Sequence, residues 1–401
     1  MRIIINECKK ILDIRIILLL GMFSVLYYMT FTQIYRYPTG GQLTNTKYDI
    51  PFTAELVKEW GTKWKVKDEK QYQEKHQELE RDFAKIIKQD QELSKRGIVD
   101  YEIFNKKYEE LGQKTALSKQ EKELNKILEN YVFYNDKTSK IFLDIQALEH
   151  IREFQGYEYG VSDKKYKELK ADGFFDGTKL YQKAIEKRVK RDYTSLVHEG
   201  VFYILQEDMV TIGGLIMICF FALIIPYQVK QRLRQIIPIL ATTKTGRRIY
   251  QIQLIASALV AFFVGILQMA VYGIIWHLKG LSVFWKCESW GIASNAYWCD
   301  KLSFGTYMLL YMALILLFAI ASIVVIDFIG RTIGNYMGAV AVSIPVCGVM
   351  MFLMRKIYYM LFLITNDQVL AYWELYALAT WLIVMLLFYK IRSKRWKKVD
   401  L

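Results

Sequence analysis

Six apolar spans, at 14–35, 209–227, 252–278, 305–328, 333–354 and 372–391, divide this chain, and a charge-rich stretch of roughly 170 residues separates the first from the second. Each approaches the ~20 helical residues that cover about 30 Å of hydrocarbon. In lipid only a helix or a closed barrel satisfies its own backbone, and none of these runs shows the two-residue alternation of barrel strands. The sequence therefore predicts an all-α integral membrane protein, with six transmembrane helices and a large helical extracytoplasmic domain between helices 1 and 2.

Charge is distributed to match. Residues 47–208 hold 31 Lys and Arg against 32 Asp and Glu, while the rest of the chain holds 23 basic residues and 8 acidic ones. The net charge of +14 thus belongs to the membrane part. Nucleic-acid binding needs a basic face on a folded domain; here the basic residues flank apolar spans, so no nucleic-acid partner is expected.

Those flanks set an orientation. Arg2, Lys9, Lys10 and Arg15 precede the first span, Lys230, Arg232, Arg234, Lys244, Arg247 and Arg248 follow the second, and Lys390, Arg392, Lys394, Arg395, Lys397 and Lys398 close the chain. With Arg331 they make 17 positive residues on one side, against Arg36, Lys279, Lys286, Lys301, Arg355 and Lys356 on the other. The positive-inside rule places both termini in the cytoplasm and residues 36–208 outside, as in a multi-pass protein of a cell membrane. The cytoplasmic segments are then 1–13, 228–251 and 392–401, and the outer loops 279–304 and 355–371.

The first span has no small-residue cleavage site after it and reads as an uncleaved anchor. Before it, Ile4, Cys8, Ile11 and Leu12 share one helical face, with Asn6, Lys9, Lys10 and Asp13 largely elsewhere. This pattern fits an interfacial helix, or equally a frayed extension of the first span.

In the insertion, no proline interrupts residues 52–225. Apolar residues recur at helical spacing at Leu79, Phe83, Ile86 and Leu93, at Tyr101, Phe104, Tyr108 and Leu111, at Leu124, Leu128 and Tyr131, and at Ile141, Ile145 and Leu148. Breaks are expected near Gly97, Gly112, Asn135 and Gly156. The stripe of Tyr181, Ile185, Val189 and Leu196 predicts a helix over 178–201 that runs on into the second span. The aromatic residues Trp60, Trp64, Tyr157, Tyr159, Phe174 and Phe175 are expected in its core.

Enzyme signatures are missing from the sequence: no G-x-x-x-x-G-K-[ST] phosphate loop, no H-E-x-x-H among His76, His150, His198 and His277, and no G-x-S-x-G elbow. No catalytic residue, bound cofactor or metal is expected. Within the spans, Asp327 and Glu374 lie near the ends, whereas a proton-coupled carrier needs ionisable groups at depth. Cys287 and Cys299 sit in the outer stretch CESWGIASNAYWC. Closing that loop would contribute about 3 kcal/mol in the chain-entropy model; two reduced thiols are the alternative. Trp285, Trp290, Tyr297 and Trp298 around them fit an interfacial anchor. Gly330, Gly334 and Gly338 recur every four residues, as a close helix-packing face or a hinge, and Pro345 is expected to kink the fifth span.

Residues 226–262, PYQVKQRLRQIIPILATTKTGRRIYQIQLIASALVAF, carry a resemblance. Together with an N-terminal interfacial helix, six spans, and an outer loop containing IYYMLFLITNDQ, they resemble type-2 ATP-binding-cassette (ABC) exporter permeases. In that family an acidic residue ends the second span, a short amphipathic helix follows, and a small-polar turn with Gly-Arg opens the third. Thr242, Thr243, Lys244, Thr245, Gly246 and Arg247 match the turn; Gln228 stands nearest the acidic position, and Pro238 interrupts the helix. The resemblance covers the membrane half.

It implies a cytoplasmic ABC ATPase encoded separately, carrying ATP and Mg, that pushes on Leu233, Ile236, Ile237, Leu240, Lys244, Gly246, Arg247 and Arg248. It also implies a second permease chain, identical or different, beside membrane lipid in a bacterial cell. A peptide, an antimicrobial compound or a lipid-like molecule would be exported. The size of the insertion supports a different class of function, a non-transporting sensor or scaffold that binds ligand through its helical ectodomain.

Overall fold

The computed structural model describes residues 2–37, 46–65, 68–158, 167–168, 170–173, 176–189, 193–234, 249–289 and 301–399. Among them are six helices long and apolar enough to cross a membrane: α2 (Ile14–Phe31), α11 (Glu199–Leu233), α12 (Ile249–Leu278), α13 (Phe304–Thr332), α14 (Tyr336–Tyr358) and α15 (Trp373–Val399). At 1.5 Å per residue the 29 residues of α13 reach about 44 Å, so the helices project beyond the hydrocarbon at their ends.

α11 is the axis of the bundle. Its apolar window is 78% buried, against 11% for α2, and it packs on α13, α14, α12 and α2. Two glycines make room for this. A Cβ at Gly213 would stand 2.3 Å from the Met354 sulfur, and one at Gly214 would stand 2.6 Å from Met351 Cε. α14 continues unbroken through Pro345 and α11 through Pro226.

The N-terminal α1 (Arg2–Ile11) lies across the roots of the second and third spans, with Ile11 buried among Leu223, Tyr227, Ala256 and Val260 and with Ile4 and Cys8 packed beside it. The expected face is rotated slightly: Leu12 is exposed and Glu7 is buried. The Tyr227 hydroxyl donates to Glu7, and Lys10 Nζ pairs with the same carboxylate at 2.5 Å. Two partners stabilise an acid that the apolar face alone would exclude.

The inserted chain folds as short helices, α3 (Gln33–Arg36), α4 (Thr46–Trp60), α5 (Glu69–Ile87), α6 (Gln91–Lys95), α7 (Tyr101–Gly112), α8 (Lys119–Glu129), α9 (Asp136–Glu158) and α10 (Lys179–Val189). Local signals start several of them. Asp90 and Asp100 accept from the first-turn N–H groups of α6 and α7, and Ser118 with Glu121 forms a reciprocal capping box for α8. Phe83, Tyr101, Phe104 and Phe142 form the core, Phe83 and Phe104 meeting edge to face at 5.1 Å. Trp64 is fully buried.

Three expectations are corrected here. On α5 the inward residue is Ile87, with Ile86 half-buried, because four-residue steps from Leu79 and Phe83 lead to it. α9 continues through Gly156. The chain between α10 and the second span is not one helix. A strand β2 (Tyr193–Ser195) pairs antiparallel with β1 (Lys63–Lys65), Trp64 facing Thr194, and α11 starts afresh at Glu199 behind its His198 cap. Tyr159, Phe174 and Phe175 lie outside the described residues.

The insertion sits on the end of the bundle that carries the connections after the third and the fifth spans. Lys63 Nζ pairs with Glu288 at 2.6 Å, Tyr193 OH donates to the same carboxylate at 3.0 Å, and the Ser195 hydroxyl donates to the Glu288 carbonyl at 3.1 Å. On the other side, Thr178 N–H donates to the Asn366 carbonyl at 2.8 Å and its hydroxyl to the Gln368 carbonyl at 2.7 Å. Below these contacts, the buried Asp208 of α11 accepts from the N–H groups of Gln33 at 2.5 Å and Ile34 at 2.9 Å. It caps α3 from a distant part of the chain, where Thr32 supplies no side-chain cap.

Candidate functional site: a polar clamp at the basic end of the bundle

At the opposite end, the chain leaves the second span at Arg234 and re-enters the third at Ile249. Both points are fastened to the last turns of α13. Gln228 on α11 donates through Nε2 to Asp327 Oδ1 at 2.5 Å. Four residues on, Arg331 donates through Nε to Asp327 Oδ2 at 2.8 Å and through Nη2 to Gln253 Oε1 of α12 at 2.7 Å. Its guanidinium also lies 5.0 Å from the Tyr250 ring centre.

The Asp327 and Arg331 side chains are 0% and 1% exposed, a burial tolerable only for a pair whose hydrogen bonds are largely met. The acid precedes the base by four positions, the favourable order on a helix. Gly330 allows the approach: a Cβ there would stand 2.7 Å from Gln228 Cβ.

A further set of bonds closes the clamp. Arg232 Nη1 donates to the carbonyl oxygens of Arg331, at 3.0 Å, and of Thr332, placing a cation on the exposed carbonyls that end α13. From α15, Arg392 donates to the Thr332 hydroxyl at 3.4 Å and covers the Phe328 ring. Four helices therefore meet at one six-residue stretch of α13. Asp327 has both oxygens engaged, which suits a rigid joint; a general base would need one of them directed at a substrate proton.

The sequence-predicted residues are placed unevenly around this clamp. Leu233 is exposed one residue before the chain leaves it. Ile236, Ile237, Leu240, Lys244, Gly246, Arg247 and Arg248 lie outside the described residues. The second span does end without an acid, at Gln228, and the carboxylate at that place comes from Asp327 on the fourth span.

The three spaced glycines do not share a helix. Gly330 is in α13 against Gln228, Gly334 is in the turn, and Gly338 is in the first turn of α14, where its N–H donates to the Asn335 cap at 2.6 Å. Cys287 is a free, fully buried thiol that donates to the Leu196 carbonyl at 3.7 Å, and burial pushes its pKa up to about 12. Cys299, Trp290, Tyr297 and Trp298 lie outside the described residues. Trp285 is partly exposed and lies over Gly305.

Sequence reasoning passed over Glu7, Asp208 and the partnership of Asp327 with Arg331. The last had a legible signal, an acid and a base four residues apart at the end of an otherwise apolar helix. Asp208 had none, since its backbone donors lie more than 170 residues away, and Glu7 had only its neighbour Lys10, the Tyr227 hydroxyl lying 220 positions on. No family model, curated protein or solved structure matches the chain.

Proposed function

We propose that the chain is the membrane-spanning subunit of an ABC exporter, working with a separate cytoplasmic ATPase that carries ATP and Mg and with a second permease chain. The observation that carries this reading is the clamp. Both roots of the basic connection 235–248 are hydrogen-bonded to the end of α13 through Gln228, Asp327, Arg331 and Gln253. Force applied to the connection is thereby passed to the fourth span without slack, as a subunit driven from the cytoplasm requires. The basic flanks put this end in the cytoplasm and the inserted domain outside. Peptides, antimicrobial compounds and lipid-like molecules are the substrate classes that this reading admits.

The test is co-purification with a cytoplasmic ABC ATPase found encoded in the neighbouring genes. Ile236→Asp with Leu240→Asp removes apolar anchors from the connection and is expected to abolish association while leaving membrane insertion intact. Undiminished association would overturn the assignment of the connection. A neighbouring gene set that contains no ATPase and encodes a sensor kinase would favour the sensor class instead.

A further inference from the structure

On the flank of the bundle away from α11, helices α12, α13 and α15 enclose a side-opening groove of about 470 Å³. Its walls include Ile255 from α12, Ala321 from α13, and Leu382 and Leu386 from α15, and its end toward the clamp is formed by Gln251 and Tyr389. Ile255 and Leu386 are each about half exposed, so the groove opens sideways, where a membrane protein meets lipid.

Chemistry changes in order along this groove. Its body is aliphatic. Its mouth holds an amide and a phenol, Gln251 and Tyr389, with Tyr389 stacked on Tyr250 at 6.2 Å. One turn beyond Leu386, on the same face of α15, come the exposed Lys390 and then Lys394. Arg392, by contrast, is engaged with Thr332 and Phe328. An aliphatic trough, neutral donors and then two cations reproduce in sequence the acyl chain, ester and phosphate of a glycerophospholipid.

We infer that this groove is a binding site for one acyl chain of an anionic phospholipid from the leaflet at the basic end, with its phosphate on Lys390 and Lys394. The inference requires only that the six helices lie in a membrane and is independent of ATPase partnership. A zwitterionic lipid fits the trough and also brings a phosphate, but its choline cancels that charge, whereas an anionic headgroup keeps a net negative charge and gains from each lysine near the surface. Burying the chain along the trough adds the apolar term.

Photo-crosslinking of the purified full-length protein in phosphatidylcholine vesicles tests it, with phosphatidylglycerol or phosphatidylcholine carrying a diazirine on the acyl chain as the probe. Phosphatidylglycerol should label peptides containing Ile255 and Leu386 in preference to phosphatidylcholine, by about fivefold for each lysine that contacts it. Excess unlabelled phosphatidylglycerol should remove that label and spare the label at the lipid-exposed Phe263. Lys390→Gln with Lys394→Gln should reduce the two probes to equal labelling. Ala321→Trp and, from another wall, Leu382→Trp should each deplete the groove label for both lipids.

Equal labelling by the two probes in the unaltered protein would overturn the headgroup assignment. Label that excess unlabelled lipid fails to compete away would overturn the site. So would crosslinks through the groove between two copies of the chain, which would identify a protein occupant.

Discussion

Gln228 donates its side-chain amide to Asp327 across 2.5 Å, tying the end of the second span to the end of the fourth. Asp327 is held in turn by Arg331, whose guanidinium reaches Gln253 on the third. One buried carboxylate thus sets the relative positions of three helices where the basic connection begins and ends.

Removing the cation from this arrangement leaves an unpaired charge in a buried site, whereas replacing both members with apolar side chains leaves none. Arg331→Met alone should cost about 3–5 kcal/mol, and Asp327→Leu with Arg331→Met should recover most of that loss. Thermal unfolding of the detergent-purified variants decides it. A double variant no more stable than the single would show that the pair is not the source of the effect.

Gly330 and Gly334 offer a paired comparison. Gly330→Ala places a methyl group 2.7 Å from Gln228 Cβ and should cost about 1–3 kcal/mol as α13 is pushed from α11. Gly334→Ala meets nothing closer than 3.9 Å, the Arg232 guanidinium carbon, and should change stability by less than about 0.5 kcal/mol. Equal losses would restore the idea of one glycine face shared by both positions.

Glu288 joins the inserted domain to the loop after the third span through Lys63, Tyr193 and the Ser195 hydroxyl. The ion pair is partly exposed and contributes only about 1 kcal/mol or less, so Glu288→Gln should not unfold the domain. Hydrogen exchange should quicken at residues 63–65 and 193–195 and stay unchanged at 79–148, where the aromatic core is intact. Faster exchange throughout 79–148 would mean that the domain depends on this contact for folding.

His76 titrates in the inserted domain. Its Nε2 lies 3.1 Å from Glu149 and its Nδ1 lies 3.4 Å from Glu80, while Tyr101 OH donates to Glu149 at 2.9 Å. The hydrogen bond to Glu149 holds the His76 pKa above its ordinary value, with the charge of Glu80 adding to it and burial opposing it. A raised folded-state value means that the stabilisation is complete below the unfolded pKa of about 6.5 and is lost as pH rises through the folded one. Exchange protection at residues 72–87 should therefore fall as pH is raised through that window once intrinsic rates are corrected. His76→Gln should abolish this fall; an unchanged pH profile would remove His76 as its cause.

Much of the architecture was legible in the chain because length and hydropathy are local properties. The six spans lie within a few residues of their expected positions, apart from the helical overhangs at 199–208, 228–233 and 392–399, where the helix runs on past the charged and amide residues that bound the apolar run. Stripes such as Tyr101, Phe104 and Leu111 marked an inner face correctly because helical period and burial go together. The strand between α10 and α11 was hidden. Three residues carry too little pattern to reveal pairing with a partner about 130 positions away.

The clamp belongs to tertiary structure for a similar reason. Sequence showed Gln228 where an acid was expected and showed Asp327 near the end of another span, each within its own helix. Only the close approach of α13 to α11 at Gly330 brings the amide to the carboxylate. Asp208 follows the same rule, and Glu7 does so through Tyr227 although Lys10 is close in sequence: a charge can be buried when a distant segment supplies hydrogen bonds that the sequence around it lacks. What the chain determines by itself is which segments leave water; which polar groups accompany them is decided when the helices meet.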